Sequence, residues 1–202
     1  MRCPFLETSN KKIGRERKGR MDWLQSTDDF LLLWIQDNLR ADIWTPFWKG
    51  ITFLGDGGWF WIALAVILLF KVSTRKAGIL SLLSMGTGAL ITNLLLKPMI
   101  ARTRPYEAIS GLVLLVGKQH DYSFPSGHTC ASFACALILW KMFPGKKGIF
   151  AVILAIGIAF SRLYVGVHYP SDVLGGFFVG LLSSELVYWL NKRVEAAKEE
   201  VT

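Results

Sequence analysis

Long blocks of apolar residues, each close to the length that a bilayer requires, follow one another through most of the chain. A helix needs about 20 mainly apolar residues to cross the hydrocarbon core of a membrane. The pattern therefore predicts an all-α integral membrane bundle of about five transmembrane helices, the first of which is short and uses Lys71 as a snorkelling end. The five predicted spans are 57–72, 77–96, 128–143, 148–166 and 172–190.

The segment that precedes these blocks, 22–56, is amphipathic and aromatic rather than continuously apolar. Within it, Thr27 is a candidate helix N-cap that is followed by two acids. Six of the eight tryptophans lie between residues 23 and 61, and tryptophan prefers the headgroup level of a membrane. We therefore predict one or two N-terminal interfacial helices, with a kinked span over 30–54 as the alternative.

Positive charge is concentrated at the N-terminus. The whole chain has a net charge of +8, and residues 1–20 carry seven Lys or Arg against two Glu. This basic leader has no apolar core, so it is not a secretory signal peptide. Three interpretations stay open: an arm attracted to anionic headgroups, a disordered segment, or a stretch upstream of a true start at Met21, which we favour. No nucleic-acid-binding motif accompanies the charge, so no nucleic-acid partner is expected.

The remaining basic residues predict how the bundle is oriented. Nine Lys or Arg lie in the connections 71–76 and 141–147 and in the tail after residue 191. Short cytoplasmic connections are enriched in these residues, so we expect a multi-pass protein of the cell membrane with the 97–127 loop on the outer side. The expected organisation is a leader (1–20), a membrane domain (21–192) and a charged cytoplasmic tail (193–202).

Three segments on the predicted outer side carry ionisable residues beside apolar helices. Each such residue at the centre of a span costs roughly 2.5–3.5 kcal/mol on the insertion scale, so these positions are functional candidates. Taken singly, they also fit snorkelling cations, an ordinary helix N-cap and a histidine that caps a helix. The segments are KPMIARTRP, which starts at Lys97 and contains Arg104; FPSGH, which ends at His128; and SRLYVGVHYPSD, with Arg162, His168 and Asp172.

Taken together, the three segments point to one chemistry. FPSGH precedes an apolar helix, whose free backbone N–H groups attract anions, and Gly127 lets a ligand approach the backbone closely. Asp172 follows His168 by four residues, so it can orient the imidazole and leave the other ring nitrogen free to attack. Cations, an anion site and two histidines, without a carboxylate cluster for a metal, predict phosphoryl transfer through a covalent histidine intermediate.

These segments resemble the signature of the type 2 phosphatidic acid phosphatase superfamily, which also includes vanadium haloperoxidases. All three parts of that signature are matched, and the helical pattern extends the match over roughly residues 22–192. The membrane members usually have six spans and an active site at the outer leaflet, so the five spans counted here leave the position of the N-terminus open. The matching parts are Lys97, six residues, Arg104-Pro105; Pro125-Ser126-Gly127-His128; and Ser161-Arg162, five residues, His168, three residues, Asp172.

The resemblance implies a role for each matched residue. His168 would become phosphorylated, Asp172 would orient it, and His128 would protonate the leaving group and later activate water. No metal or other cofactor is implied. The residues implied to bind the phosphate are Lys97, Arg104, Ser126, Gly127 and Arg162.

The sequence thus predicts a metal-independent membrane lipid phosphatase whose substrate enters sideways from the outer leaflet. Undecaprenyl diphosphate is the favoured substrate, because small bacterial proteins that resemble this chain often recycle that carrier. Phosphatidylglycerophosphate and phosphatidic acid remain alternatives, as do haloperoxidase chemistry and a non-catalytic lipid-binding or transport protein.

Four further residues have open assignments. His120 is expected to be a solvated loop residue or to line the substrate entrance. Arg102 is expected to attract anionic headgroups or to be a solvated loop charge. Cys130 and Cys135 are expected to be small buried hydrophobes.

Overall fold

A computed structural model describes residues 23–200, and within that part of the chain every regular element is helical. The basic leader, the proposed start at Met21 and Cys3 lie outside the described residues. A turn at Asp56–Gly58 separates the second and third helices, and a π-helical segment, Leu90–Leu96, continues the fourth. The helices are α1 (23–39), α2 (Thr45–Leu54), α3 (Trp59–Leu69), α4 (Val72–Ala89), α5 (Lys97–Ile100), α6 (Pro105–Ala108), α7 (Gly127–Met142), α8 (Lys146–Tyr164) and α9 (Pro170–Glu199).

Each of the five predicted spans falls on a helix, and three helical segments of the described chain are long and apolar enough to cross a bilayer alone. These are Val72–Ala108, α8 and α9. The pair α2 and α3, bent by 44°, makes a fourth if it crosses as one broken span. Helix α7 has 16 residues, most of them in the bundle core. The all-α membrane bundle is therefore confirmed, and the count of five spans stays a prediction.

The N-terminal part contains two helices, as the aromatic pattern indicates, but Thr27 does not cap the first. Helix α1 is already formed at residue 23, and the Thr27 hydroxyl donates back to the carbonyl of Trp23 at 3.0 Å. The neighbouring Asp28 is buried and accepts a hydrogen bond from the backbone N–H of Ser171 at 3.0 Å. Asp28, one of the two acids that suggested a helix start, instead connects α1 to the start of α9.

Helix α7 lies at the centre of the bundle, packed against α4, α8 and α9. A Cβ on Gly176 would lie 2.5 Å from the carbonyl oxygen of Ser126, and one on Gly180 would lie 2.7 Å from that of Cys130. The two glycines thus let α9 pack against the α7 backbone, as small residues do in membrane bundles. Cys130 and Cys135 are both buried and unbridged, which confirms that expectation.

The helix directions bring the three candidate segments to one end of the bundle. Helices α7 and α9 start side by side, because the backbone N–H of Ser126 donates to the Asp172 carbonyl at 3.0 Å. Helix α4 runs the other way, since Lys76 near its start pairs with Glu195 near the end of α9. The chain that follows α4 therefore meets the starts of α7 and α9, at the end away from the Lys76–Glu195 pair.

Candidate active site

A cavity of about 290 Å³ opens at this end of the bundle. Six of the eight predicted site residues line it, and they come from all three segments. Asp172 and Ser126 stand behind the cavity wall, where Ser126 caps α7 by accepting a hydrogen bond from the backbone N–H of Thr129 at 3.4 Å. The predicted residues on the wall are Lys97, Arg104, Gly127, His128, Arg162 and His168.

His168 lies in the turn between α8 and α9 with its side chain buried. Its Nε2 is 3.1 Å from Nη1 of Arg104, and its Nδ1 is 3.5 Å from Oδ2 of Asp172, which is long for a hydrogen bond. Burial lowers the pKa of His168 to about 3, against the opposing effect of Asp172 and assisted by the positive charges of Arg104 and Arg162. The imidazole is therefore neutral near pH 7 and keeps a lone pair on one ring nitrogen.

Asp172 is held from several directions. Its Oδ1 accepts a hydrogen bond from Nη1 of Arg102 at 2.7 Å. Its Oδ2 accepts one from the hydroxyl of Ser123 at 2.5 Å and one from the backbone N–H of Tyr169 at 2.9 Å. A buried carboxylate with three donors of this kind has little freedom to turn, so its Oδ2 is held 3.5 Å from Nδ1 of His168.

Arg102 is neither a solvated loop charge nor a headgroup-attracting one, so both expectations for it are wrong. Its two terminal nitrogens donate to Ser171, Asp172, Gln25 and Asp28. Its guanidinium also lies 3.8 Å from the centroid of the Tyr169 ring. Because every terminal nitrogen of Arg102 is engaged within the protein, this residue connects α1 to the carboxylate behind His168.

The three predicted phosphate-binding cations are all buried. Arg104 donates from Nη1 to the Val167 carbonyl at 2.8 Å. Arg162 donates from Nη1 to the hydroxyl of Thr52 at 2.5 Å, while its buried Nε has no hydrogen-bond partner. Buried charges and unpaired donors are costly, so the cavity is electrostatically suited to an anion.

Two carboxylates that the sequence did not single out face these cations. Asp121 pairs with Lys97 and Arg104, and Asp56 Oδ1 lies 2.7 Å from Nε2 of His128. Their side chains are 49% and 53% exposed, respectively. Partial burial raises the pKa of Asp121, but Lys97 and then Arg104 outweigh it and lower that pKa to about 2. Both acids are isolated in turns, where no periodicity or motif marks them.

His120 is exposed and does not contribute to the cavity wall, in agreement with a loop histidine. Within residues 23–200, no group of three or more His, Cys, Asp or Glu side chains is arranged to hold a metal ion. Metal independence itself stays a prediction.

Comparison with known proteins identifies the family of this arrangement. The family model described as "PAP2 superfamily" matches residues 77–195. An undecaprenyl-diphosphatase from Sulfolobus acidocaldarius is 36% identical over 120 residues, which cover 59% of this chain and 58% of that protein. Phosphatidylglycerophosphatase B from Bacillus subtilis is 35% identical over 164 residues, which cover 75% of this chain and 77% of that protein.

A solved structure has the same architecture. It is the crystal structure of a transmembrane PAP2-type phosphatidylglycerolphosphate phosphatase from Bacillus subtilis, and it superposes with a TM-score of 0.70 at 32% identity. The match covers 85% of this chain and 87% of that one. The likeness therefore extends over most of both chains.

Proposed function

The chain belongs to the PAP2 superfamily, and on that premise we propose that it is a cell-membrane lipid phosphatase that works through a phosphohistidine on His168. Its family and its named relatives make it a phosphatase. The observation that carries the proposed mechanism is the cavity itself, in which buried Arg104 and Arg162 flank a neutral imidazole. Cations arranged in advance around a nucleophile offset the charge that develops during phosphoryl transfer.

The first half of the reaction forms the covalent intermediate. Nε2 of His168 attacks phosphorus, and the bond from phosphorus to the leaving oxygen breaks. His128 donates a proton to that oxygen, and Asp172 accepts the Nδ1 proton of His168 in a hydrogen bond as the ring gains positive charge. The position of Arg104 supports Nε2 of His168 as the attacking nitrogen, because Nη1 of Arg104 lies 3.1 Å from it.

The second half restores the enzyme. His128 takes a proton from a water molecule, the water oxygen attacks phosphorus, and the bond between phosphorus and Nε2 of His168 breaks. Inorganic phosphate then leaves. Neither half requires a metal, so we expect EDTA to leave activity intact and vanadate, which imitates five-coordinate phosphorus, to inhibit.

The cavity wall supports a lipid substrate. The lining of the cavity also includes the apolar residues Met85, Ala89 and Ala131, which suit the first carbons of a long chain. A phosphate among the cations with its tail toward these residues would enter from the membrane side, at the outer leaflet by the charge pattern of the connections. We favour undecaprenyl diphosphate, which would yield undecaprenyl phosphate and inorganic phosphate.

Phosphatidylglycerophosphate is the second candidate substrate, and one observation favours it. The Bacillus relative and the solved structure that carry this activity in their names match three quarters or more of this chain. Phosphatidic acid is the third candidate.

A substrate panel in detergent tests the proposal. Phosphate release from undecaprenyl diphosphate, phosphatidylglycerophosphate and phosphatidic acid would be compared for wild type and His168→Ala. We expect the highest kcat/KM for undecaprenyl diphosphate, no release by the variant, and a phosphoenzyme that is stable to alkali, labile to acid and absent from His168→Ala. Release that persists unchanged in His168→Ala would refute the mechanism, and no release from any substrate would favour a lipid-binding or transport protein.

A further inference from the structure

Asp121 engages two of the three cations that the phosphate would use. Its Oδ2 pairs with Nζ of Lys97, and its Oδ1 accepts a hydrogen bond from Nη2 of Arg104 at 2.5 Å. Its backbone carbonyl accepts a second hydrogen bond from Arg104, from Nε at 3.0 Å. One residue outside the three sequence segments therefore accepts hydrogen bonds from both Lys97 and Arg104.

The exposure of the partners in this contact is unequal. The side chains of Lys97 and Arg104 are 11% and 5% exposed, whereas that of Asp121 is 49% exposed. The carboxylate can rotate into water at little desolvation cost, but the two cations cannot leave the protein interior without a large rearrangement. If the contact opens, Asp121 is the partner that moves, and the cations stay to receive another anion.

Asp121 also stays charged at physiological pH. The pKa of about 2 means that its carboxylate is ionised throughout the physiological pH range. It carries one negative charge on two oxygens, whereas a terminal phosphate presents three oxygens and up to two charges. An incoming phosphate can therefore displace the Asp121 carboxylate, but its affinity is reduced because it must compete with that carboxylate for Lys97 and Arg104.

We propose that Asp121 is an internal competitor of the phosphate. Its carboxylate pairs with Lys97 and Arg104 when no phosphate is bound, and it returns to them when inorganic phosphate leaves. The inference rests on the proposed function, because it concerns the same site. It gives the protein a means to weaken product binding while keeping three buried cations for the reaction. Strong ground-state binding of phosphate lowers KM without raising kcat, so an internal competitor favours turnover.

The alternative role for Asp121 is that of a brace that holds the two cations in position. The two roles predict opposite signs for one measurement. If Asp121 competes, its removal exposes two cations with unpaired donors, and anions bind more tightly. If it braces, its removal lets the cations move apart, and anions bind more weakly.

The test is the affinity for inorganic phosphate, titrated by calorimetry in detergent with no lipid substrate present. We expect Asp121→Asn to bind phosphate about three- to thirtyfold more tightly than wild type, the range expected for the loss of a partly exposed, charge-assisted contact. Orthovanadate should show the same increase in affinity. Asp121→Glu, which restores the charge, should bind phosphate within about twofold of wild type.

Glu107→Gln is the matched control, because Glu107 is an exposed acid on α6 in the same outer segment. It removes one negative charge without touching the cavity, so phosphate affinity should not change. Unchanged or weaker phosphate binding by Asp121→Asn, with a wild-type melting temperature, would overturn the inference. So would an absence of phosphate binding by both proteins.

The proposed function fails separately from this inference. Tighter phosphate binding by Asp121→Asn, without hydrolysis of any lipid by wild type, would support the internal competitor and reject the enzyme activity. Lipid hydrolysis by wild type, with no gain in phosphate affinity in Asp121→Asn, would support the enzyme activity and reject the internal competitor.

Discussion

Carboxylates lie both behind and in front of the His168 imidazole, but the two groups differ in how deeply they are buried. Behind the imidazole, the carboxylates of Asp172 and Asp28 are 0% and 3% exposed, and they share one arginine. In front of it, the carboxylates of Asp121 and Asp56 are 49% and 53% exposed, and each faces a group proposed to handle phosphate. The carboxylates behind the imidazole are therefore held in buried ion pairs, whereas those in front of it can be displaced by another anion.

The difference follows from what each face must do. An ion pair removed from water resists separation, because breaking it leaves an uncompensated buried charge. Such a pair can hold a histidine at one angle through the reaction. A half-exposed carboxylate gives up its partner easily, so it leaves room for a substrate. Mutations on the rear face should therefore disrupt orientation, while those on the front face should change phosphate binding.

The largest effect should come from Asp172→Asn on the rear face. An amide in this position can donate to Nδ1 of His168, which favours the tautomer whose Nε2 carries a proton and cannot attack. We expect kcat to fall about 10³- to 10⁴-fold with little change in KM, as for the equivalent change in a catalytic triad. Phosphate release under saturating substrate measures the loss.

Asp42→Asn is the control for that variant, since Asp42 is exposed in the connection between α1 and α2. It should retain wild-type kcat. A kcat for Asp172→Asn within about tenfold of wild type would mean that Asp172 does not set the tautomer of His168.

The second largest effect should come from lysine substitutions on the front face. Lysine keeps the charge of Arg104 but loses the forked set of donors that reaches the Val167 carbonyl, Asp121 and the imidazole. We expect kcat/KM to fall about 10²- to 10³-fold in Arg104→Lys, the cost of removing a donor to a developing oxyanion. Arg162→Lys should fall in the same range, because its unpaired Nε would be lost.

Arg193→Lys, on an exposed residue at the opposite end of α9, is the matched control and should not change kcat/KM. Wild-type turnover by either cavity variant would show that a point charge is sufficient in that position.

The third prediction compares two variants, to separate the orientation of His168 from the packing of α1 on the bundle. Arg102→Leu leaves Asp28 and Asp172 without a shared cation, so we expect a loss of about 3–5 kcal/mol in stability. Displacement of the imidazole should also reduce kcat, by about 10²-fold. Asp28→Asn keeps the Arg102–Asp172 pair, so its melting temperature should fall with a much smaller loss of kcat. Equal kcat losses in the two variants would mean that α1 docking, rather than the carboxylate, positions His168.

The sequence could predict the parts of this site that depend on short spacing. Ser126 precedes an apolar run, so it was expected at a helix start, and it caps α7. Asp172 follows His168 by four residues across the start of α9, a separation that by itself brings the two side chains close. The apolar blocks likewise located the helices, because each block must be buried in protein or lipid.

Contacts between distant segments could not be predicted in this way. Arg102 meets Asp28 across 74 positions in the chain, and that contact depends on how α1 packs on the bundle. The segment Leu90–Leu96 falls at the end of the predicted span 77–96, and nothing in the apolar pattern showed that it is π-helical. Thr92 and Lys97 both line the cavity, although residues five apart lie about 140° apart around an α-helix. The π-helical hydrogen bonds, from i to i+5, bring such residues onto one face.

The smallest effect concerns stability at low pH and reports on the burial of His168. Its pKa is about 3 in the folded protein against 6.5 for an ordinary histidine. Between these values the unfolded chain binds a proton that the folded protein rejects, so the free energy of unfolding falls as the pH drops from 6.5 toward 3. His168→Gln removes this titration, so its melting temperature in detergent should decline less steeply than that of wild type over pH 6.5–4.5.

His120→Gln is the control for the pH series, because His120 is an exposed histidine that does not line the cavity. Its melting temperature should follow that of wild type at every pH. Parallel curves for wild type and His168→Gln would mean that His168 accepts a proton in the folded protein as readily as in the unfolded chain. In that case the imidazole would be protonated under mildly acidic conditions, and phosphorylation at Nε2 would show an acid limb near pH 6.5.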